Sequence, residues 1–119
     1  MGVDTKNMRN PKEREIQKAI LTYLKSKGFV VFKHLNVGIK KPNGSYIPLP
    51  AGDKGISDII GCSPGIKGMG KGQFISIEVK TVGGRPTPEQ IDFMRRVREN
   101  GGIALLARSL DDVMDVLTL

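Results

Sequence analysis

Residues 73–80 read Gln-Phe-Ile-Ser-Ile-Glu-Val-Lys, and their alternation constrains the fold more than any other stretch of the chain. Successive side chains of a strand point to opposite faces. Ile75, Ile77 and Val79 therefore share one face, and Phe74, Ser76, Glu78 and Lys80 share the other. Three β-branched residues on one side demand a core to pack against. The opposite side ends in a carboxylate and an amine two residues apart. Such a strand needs neighbouring strands for its backbone groups and a helical layer over its apolar face.

The flanking sequence supplies both. Thr87-Pro88-Glu89-Gln90 reads as a helix start, with Pro at the first helical position and a capping-box residue three past the cap. The spacing turns Ile91, Met94, Val97 and neighbouring Phe93 inward, and Gly101-Gly102 ends the helix. Residues 103–107 form a buried strand. Ser109 caps a last helix, with Asp111 and Asp112 near its positive end and Val113, Val116 and Leu117 inward.

Upstream, Ile16, Ala19, Ile20, Tyr23 and Leu24 fall on one helical stripe. Residues 11–27 are thus an amphipathic helix, with Asn10 as N-cap, Pro11 at the first position and Gly28 as the stop. Phe29-Val30-Val31-Phe32 opens a strand that runs to residue 35 or 36, and residues 57–62 form a second core strand. Between these two, Asn43-Gly44 flanked by Val37, Ile39, Tyr46 and Ile47 marks a hairpin or flexible ribbon with a tip made basic by Lys40 and Lys41. The order is α-β-β-β-α-β-α with that hairpin inserted after the first strand. This is an α/β fold, a mixed central sheet flanked by helices. Residues 1–10 are a polar, flexible arm, and residues 11–119 have room for a single domain.

At 39% hydrophobic and 26% charged, the composition excludes disorder over most of the length. Charge is unevenly placed. Residues 1–50 carry ten Lys and Arg against three Asp and Glu, whereas residues 51–119 carry nine of each. A basic half suits a polyanionic partner, because clustered cations displace counterions from phosphates; the competing reading is simple solubilisation. The lone Cys62 excludes an intramolecular disulfide and a cysteine zinc cage, fits a small core residue, and suits a reducing cytoplasmic setting. The polar start lacks the apolar core of a signal peptide, and the longest apolar run, residues 103–107, is too short to span a bilayer, so no membrane partner is expected. His34 is the only histidine, which leaves little for a histidine zinc site or a Ser-His-Asp triad. It reads as a partly buried or strand-surface residue, with substrate contact as the lesser alternative.

Chemistry concentrates where Asp58 opens one strand and Glu78-Val79-Lys80 closes the next. Magnesium or manganese takes few protein ligands and prefers carboxylate oxygens, so two carboxylates on adjacent strands suit either ion. A backbone carbonyl, here that of Val79, can add a further oxygen. Hydrolysis of a phosphodiester needs such a cation to offset the developing charge and to activate water. The Lys80 ammonium, on the face of Glu78, is suited to the same anionic charge. A Glu-x-Lys triplet alone carries little weight, since an exposed ion pair would look the same. The Asp behind Gly55 and the order of elements give it specificity.

With that order, Gly55-Ile56-Ser57-Asp58 and Glu78-Val79-Lys80 make the chain resemble the PD-(D/E)XK nuclease superfamily, and within it the stand-alone VRR-Nuc (virus-type replication-repair nuclease) domains. The resemblance covers residues 12–108. It adds Glu15 of Glu15-Ile16-Gln17 on the first helix and Gln90 on the helix after the Glu-x-Lys strand. Ser57 stands where the motif has Pro, at a position that sets backbone shape rather than chemistry. The resemblance implies a restriction-endonuclease-like αβββαβ core with a C-terminal helix. It also implies an Mg²⁺- or Mn²⁺-dependent endodeoxyribonuclease, with metal on Asp58 and Glu78, Lys80 catalytic, Glu15 assisting through water and Gln90 orienting the site. The resemblance further implies a homodimer selective for branched DNA such as Holliday junctions, in DNA repair or recombination.

Two of these residues keep competing readings. Glu15 lies beside the apolar stripe with Lys12 and Lys18 near, where an ordinary helix-surface charge would also sit. Gln90 is also explained by the capping box. The Gly-rich residues 65–72 lack the Gly-Lys-Ser/Thr ending of a phosphate-binding loop and read as a connector. Lys40, Lys41, Lys54, Lys67, Lys71 and Arg85 are the candidate DNA-phosphate contacts, each also explicable as a solvated charge. A non-catalytic nucleic-acid-binding module with the same fold is the alternative function.

Overall fold

The computed structural model describes residues 11–35, 39–47, 54–65 and 69–117. The expected arm of residues 1–10, including Asn10, lies outside the described residues, as do Asn36, Val37 and Lys67. The chain runs α1 (Pro11–Ser26), β1 (Val30–Lys33), β2 (Ile39–Lys40), β3 (Tyr46–Ile47), β4 (Ile59–Pro64), β5 (Lys71–Val79), α2 (Pro88–Glu99), β6 (Ile103–Ala107) and α3 (Leu110–Leu117). Apart from the hairpin β2–β3, the order is the α-β-β-β-α-β-α expected from the sequence.

One mixed sheet forms the centre, with strand order β1-β4-β5-β6. β1 and β5 flank β4 antiparallel, and β6 runs parallel to β5. A parallel neighbour requires a crossover, and α2 supplies it. β5 is buried on both faces from Ile75 to Val79 because it is central in this sheet. Its Ile75, Ile77 and Val79 join Val31 and Ile59 in a core closed by Ile20 and Leu24 of α1 and Val113 and Leu117 of α3. Glu78 on the opposite face meets α2, through Gln90.

Both downstream helices are capped as the sequence implies. At α2, Thr87 Oγ1 accepts from the Gln90 N–H (3.1 Å) and Gln90 Oε1 accepts from the Thr87 N–H (2.8 Å). At α3, Ser109 Oγ accepts from the Asp112 N–H (3.2 Å).

Three helical phases differ from expectation. Ile91 and Val116, expected inward, are exposed, and Met94, Val113 and Leu117 carry the burial instead. Short helices need only a narrow stripe, and the flanking apolar positions are left at its edge. In α1 the fully buried residues are Gln17, Ile20 and Leu24. Ile16 and Tyr23 are partly buried beside them. The buried face is thus rotated towards a polar residue that hydrophobic periodicity does not mark.

Candidate functional site

The site forms where β4 begins and β5 ends. Ile59 pairs with Ile77, so one step further out Asp58 stands opposite Glu78, and directly opposed residues of an antiparallel pair project to the same face. Where β4 begins, Asp58 Oδ2 accepts from the Val79 N–H (2.8 Å), a carboxylate oxygen standing where a ladder carbonyl would otherwise be. The carbonyl of this same residue, Val79, is the further oxygen ligand named above; it belongs to the next peptide unit, whose Lys80 N–H donates to Ala107. Asp58 is also held from its other side, where the His34 N–H donates to its carbonyl (2.7 Å). Gly55, in the turn before it, has φ +86°, and a Cβ there would run into the backbone of Glu89 and Gln90. The turn carrying Asp58 and the start of α2 are therefore packed backbone to backbone.

Glu78 is fully buried. Its Oε2 accepts from Gln90 Nε2 (3.1 Å) and lies 3.8 Å from Lys80 Nζ, whose side chain is 17% exposed. Gln90 thus does two jobs with one amide. Its oxygen caps α2 and its nitrogen holds the glutamate, which fixes the amide's orientation. Two buried carboxylates and an amine at the ends of adjacent strands make an oxygen-rich donor set with a cationic neighbour. Asp58 and Glu78 fit a hard divalent cation that keeps most of its waters.

Glu15 is not drawn into this group. It is exposed on α1, and among the described residues no three His, Cys, Asp or Glu side chains gather where one metal would bind. The acidic residue on the buried side of α1 is Glu13, half-buried and one turn before Gln17. Gln17 is 1% exposed, and among the described residues neither its amide oxygen nor its nitrogen has a hydrogen-bond partner. Helix α1 leads through a short turn into β1, so its N-terminal half lies at the sheet end that carries His34 and Asp58.

Arg108 was not marked by any motif. Its Nη1 donates to the carbonyls of Thr81 and Gly84 (2.7 Å each), tying the turn that follows Lys80 to the end of β6. The Lys80 N–H itself donates to the Ala107 carbonyl (3.0 Å). These contacts bridge 24 to 27 residues of sequence, beyond the reach of local patterns.

Among the candidate phosphate contacts, Lys54 and Arg85 are exposed, each within five residues of Asp58 or Lys80 in the chain. Lys40 and Lys41 are exposed on the ribbon. Lys71 is exposed at the opposite end of β5, about 23 Å from Glu78 at the rise of a strand, so the structure does not bring it to the carboxylates.

No family model matches the sequence, and no curated protein does. The folded chain does match solved structures. A structure described as a VRR_NUC domain superposes with a TM-score of 0.62 at 21% identity, covering 92% of this chain and 97% of the other. A second, described as a VRR_NUC domain protein, gives 0.59 at 18% identity over 93% and 88%. The fold is that of VRR_NUC domains. On this VRR_NUC fold, the charged residues at the ends of β4 and β5 are those the sequence motif singled out.

Proposed function

We propose that this chain is a metal-dependent DNA nuclease that hydrolyses phosphodiester bonds. The observation that carries the reading is the convergence of buried Asp58 and Glu78, with Lys80 beside them, at the strand ends of a VRR_NUC-type fold. The basic first half of the chain supports DNA as the substrate.

In this reading Asp58 and Glu78 hold Mg²⁺ or Mn²⁺. The ion would supply charge neutralisation at the attacked phosphate and a lowered pKa for water. The chain's own residues do the positioning. The Val79 N–H and the His34 backbone fix Asp58, Gln90 fixes Glu78, and the Arg108-held turn fixes the segment that follows Lys80. Lys80 places a cation where negative charge accumulates in the transition state. From α1, Glu15 or the less exposed Glu13 would add a carboxylate only through water.

We further propose a homodimer acting on branched DNA in the cytoplasm, where a single free cysteine suits reducing conditions. Val30 and Phe32 support the dimer. They are exposed on the edge strand β1, on the sheet face opposite buried Val31, an apolar patch that a two-fold partner would cover. Light scattering at micromolar concentration checks this, and a monomer mass contradicts it.

The activity is tested with labelled junction, flap, splayed and linear DNAs in Mg²⁺, Mn²⁺ and chelator. Cleavage should require the metal and favour the junction or flap. Intact DNA in every arm would reject the reading.

A further inference from the structure

The ribbon β2–β3 is shaped by its own sequence. Gly44 donates its N–H to the Lys41 carbonyl (3.0 Å), Lys41 donates to Ser45 (2.7 Å), and Gly44 has φ +90°. This is a tight turn closed by a left-handed glycine, the three-residue hairpin loop whose twist suits its strands. Pro42 pre-sets the first turn position. Asn43 Oδ1 accepts from both the N–H (3.0 Å) and the Oγ (2.7 Å) of Ser45.

Among the described residues, no core side chain accounts for this order. Every described side chain from Lys40 to Ile47 is exposed, with Tyr46 at 58%. A lone two-stranded hairpin is marginal in water, so a surface that it docks against would add most of its stability. Lys40 pairs directly with Tyr46, which puts a cation and an aromatic ring on one face. Residues 39–47 hold Lys40 and Lys41 and no acid. The ribbon begins five residues after His34, which is bonded to Asp58. An extended span of that length reaches about 17 Å. A duplex held at the carboxylates is therefore within its reach.

We propose that β2–β3 is a DNA-binding arm that enters the major groove of the duplex beside the cleaved phosphate, with Lys40 and Lys41 on the phosphates lining the groove and Tyr46 filling it. The major groove, about 12 Å wide, admits a two-stranded ribbon. The inference rests on the nuclease reading in taking DNA as the ligand and the carboxylates as the place where it is held.

The test is fluorescence anisotropy of the full chain with a labelled duplex and with the matching single strand, in chelator, over a series of NaCl concentrations. Cleavage by the unaltered protein in Mg²⁺ decides the nuclease reading separately, so the two ideas can fail apart. Lys40→Ala/Lys41→Ala should weaken duplex binding about tenfold and lower the slope of log affinity against log salt by about two. Tyr46→Ala should weaken duplex binding several-fold with the slope unchanged, and it carries the test should the double variant not fold. Single-strand binding should fall less than duplex binding in both variants. Unchanged duplex affinity and slope, or equal loss on single strand and duplex, would overturn the proposal.

Discussion

The ion pairs along α2 and the ion pair at the end of β5 are built in opposite ways. On α2, Arg95 bonds Asp92 and Glu99 at 2.6 Å each and Arg96 bonds Asp92 at 3.0 Å, all on side chains that are about half exposed. The hydrogen bond from Arg95 holds the Asp92 carboxyl below its usual range, and donating to Asp92 and Glu99 raises Arg95. At β5, Glu78 is fully buried, yet the Lys80 amine stays 3.8 Å away. Closing a pair matters least in water and most in the interior. This chain closes the pairs it could leave open and spaces the pair it could close. The spacing makes sense if a third charge completes the buried group, and Asp58 on the neighbouring strand marks where that charge would be held.

The largest effects should come from removing the buried charges. Asp58→Asn or Glu78→Gln should lower DNA cleavage by about 10³-fold or more, while circular dichroism stays native. Full activity in either would break the comparison. Stability sharpens it. Lys80→Met leaves a buried carboxylate beside a lost cation and should lower the unfolding free energy in chelator by about 2–4 kcal/mol, whereas Glu78→Gln should change it little. Added Mg²⁺ should recover part of the Lys80→Met loss, and equal melting of the two variants would count against a buried glutamate that depends on the lysine's charge.

Gln90 separates capping from chemistry. Gln90→Glu can still accept from the Thr87 N–H but sets a carboxylate against Glu78, so activity should drop about tenfold or more while the cap of α2 is kept. Gln90→Ala should lose both, with about 1 kcal/mol of stability. Activity kept by Gln90→Glu would reduce the residue to a cap. At the small end, Asp92→Asn should leave melting temperature and cleavage unresolved from the unaltered chain.

Much of this was legible in the sequence because β5 states it locally. The alternation of residues 73–80 gives a strand, its faces and the projection of Glu78, and Asp58 opening the preceding strand gives its partner. Thr87 and Gln90 are equally local, since a capping box is spelled out within four residues. What escaped is long-range or depends on phase. The Arg108 bonds to Thr81 and Gly84 join the end of β6 to a turn more than 20 residues earlier, and no spacing rule links them. The buried face of α1 passes through Gln17, which counts as polar in any periodicity, and Glu15 rests on the Glu-x-Gln resemblance alone, so no spacing points to the half-buried Glu13. His34 contributes through its backbone N–H, a group every residue but proline has, so its identity gave no sign. Lys71 is basic, but strand length alone removes it from the carboxylates.

The most direct measurement is a Mn²⁺ titration, followed by electron paramagnetic resonance of the free ion, on the unaltered chain and on Asp58→Asn. The two carboxylates should give the unaltered chain saturable binding that the variant lacks while remaining folded. Binding of equal affinity in both, or none in the unaltered chain, would contradict the claim that Asp58 and Glu78 together form a cation site.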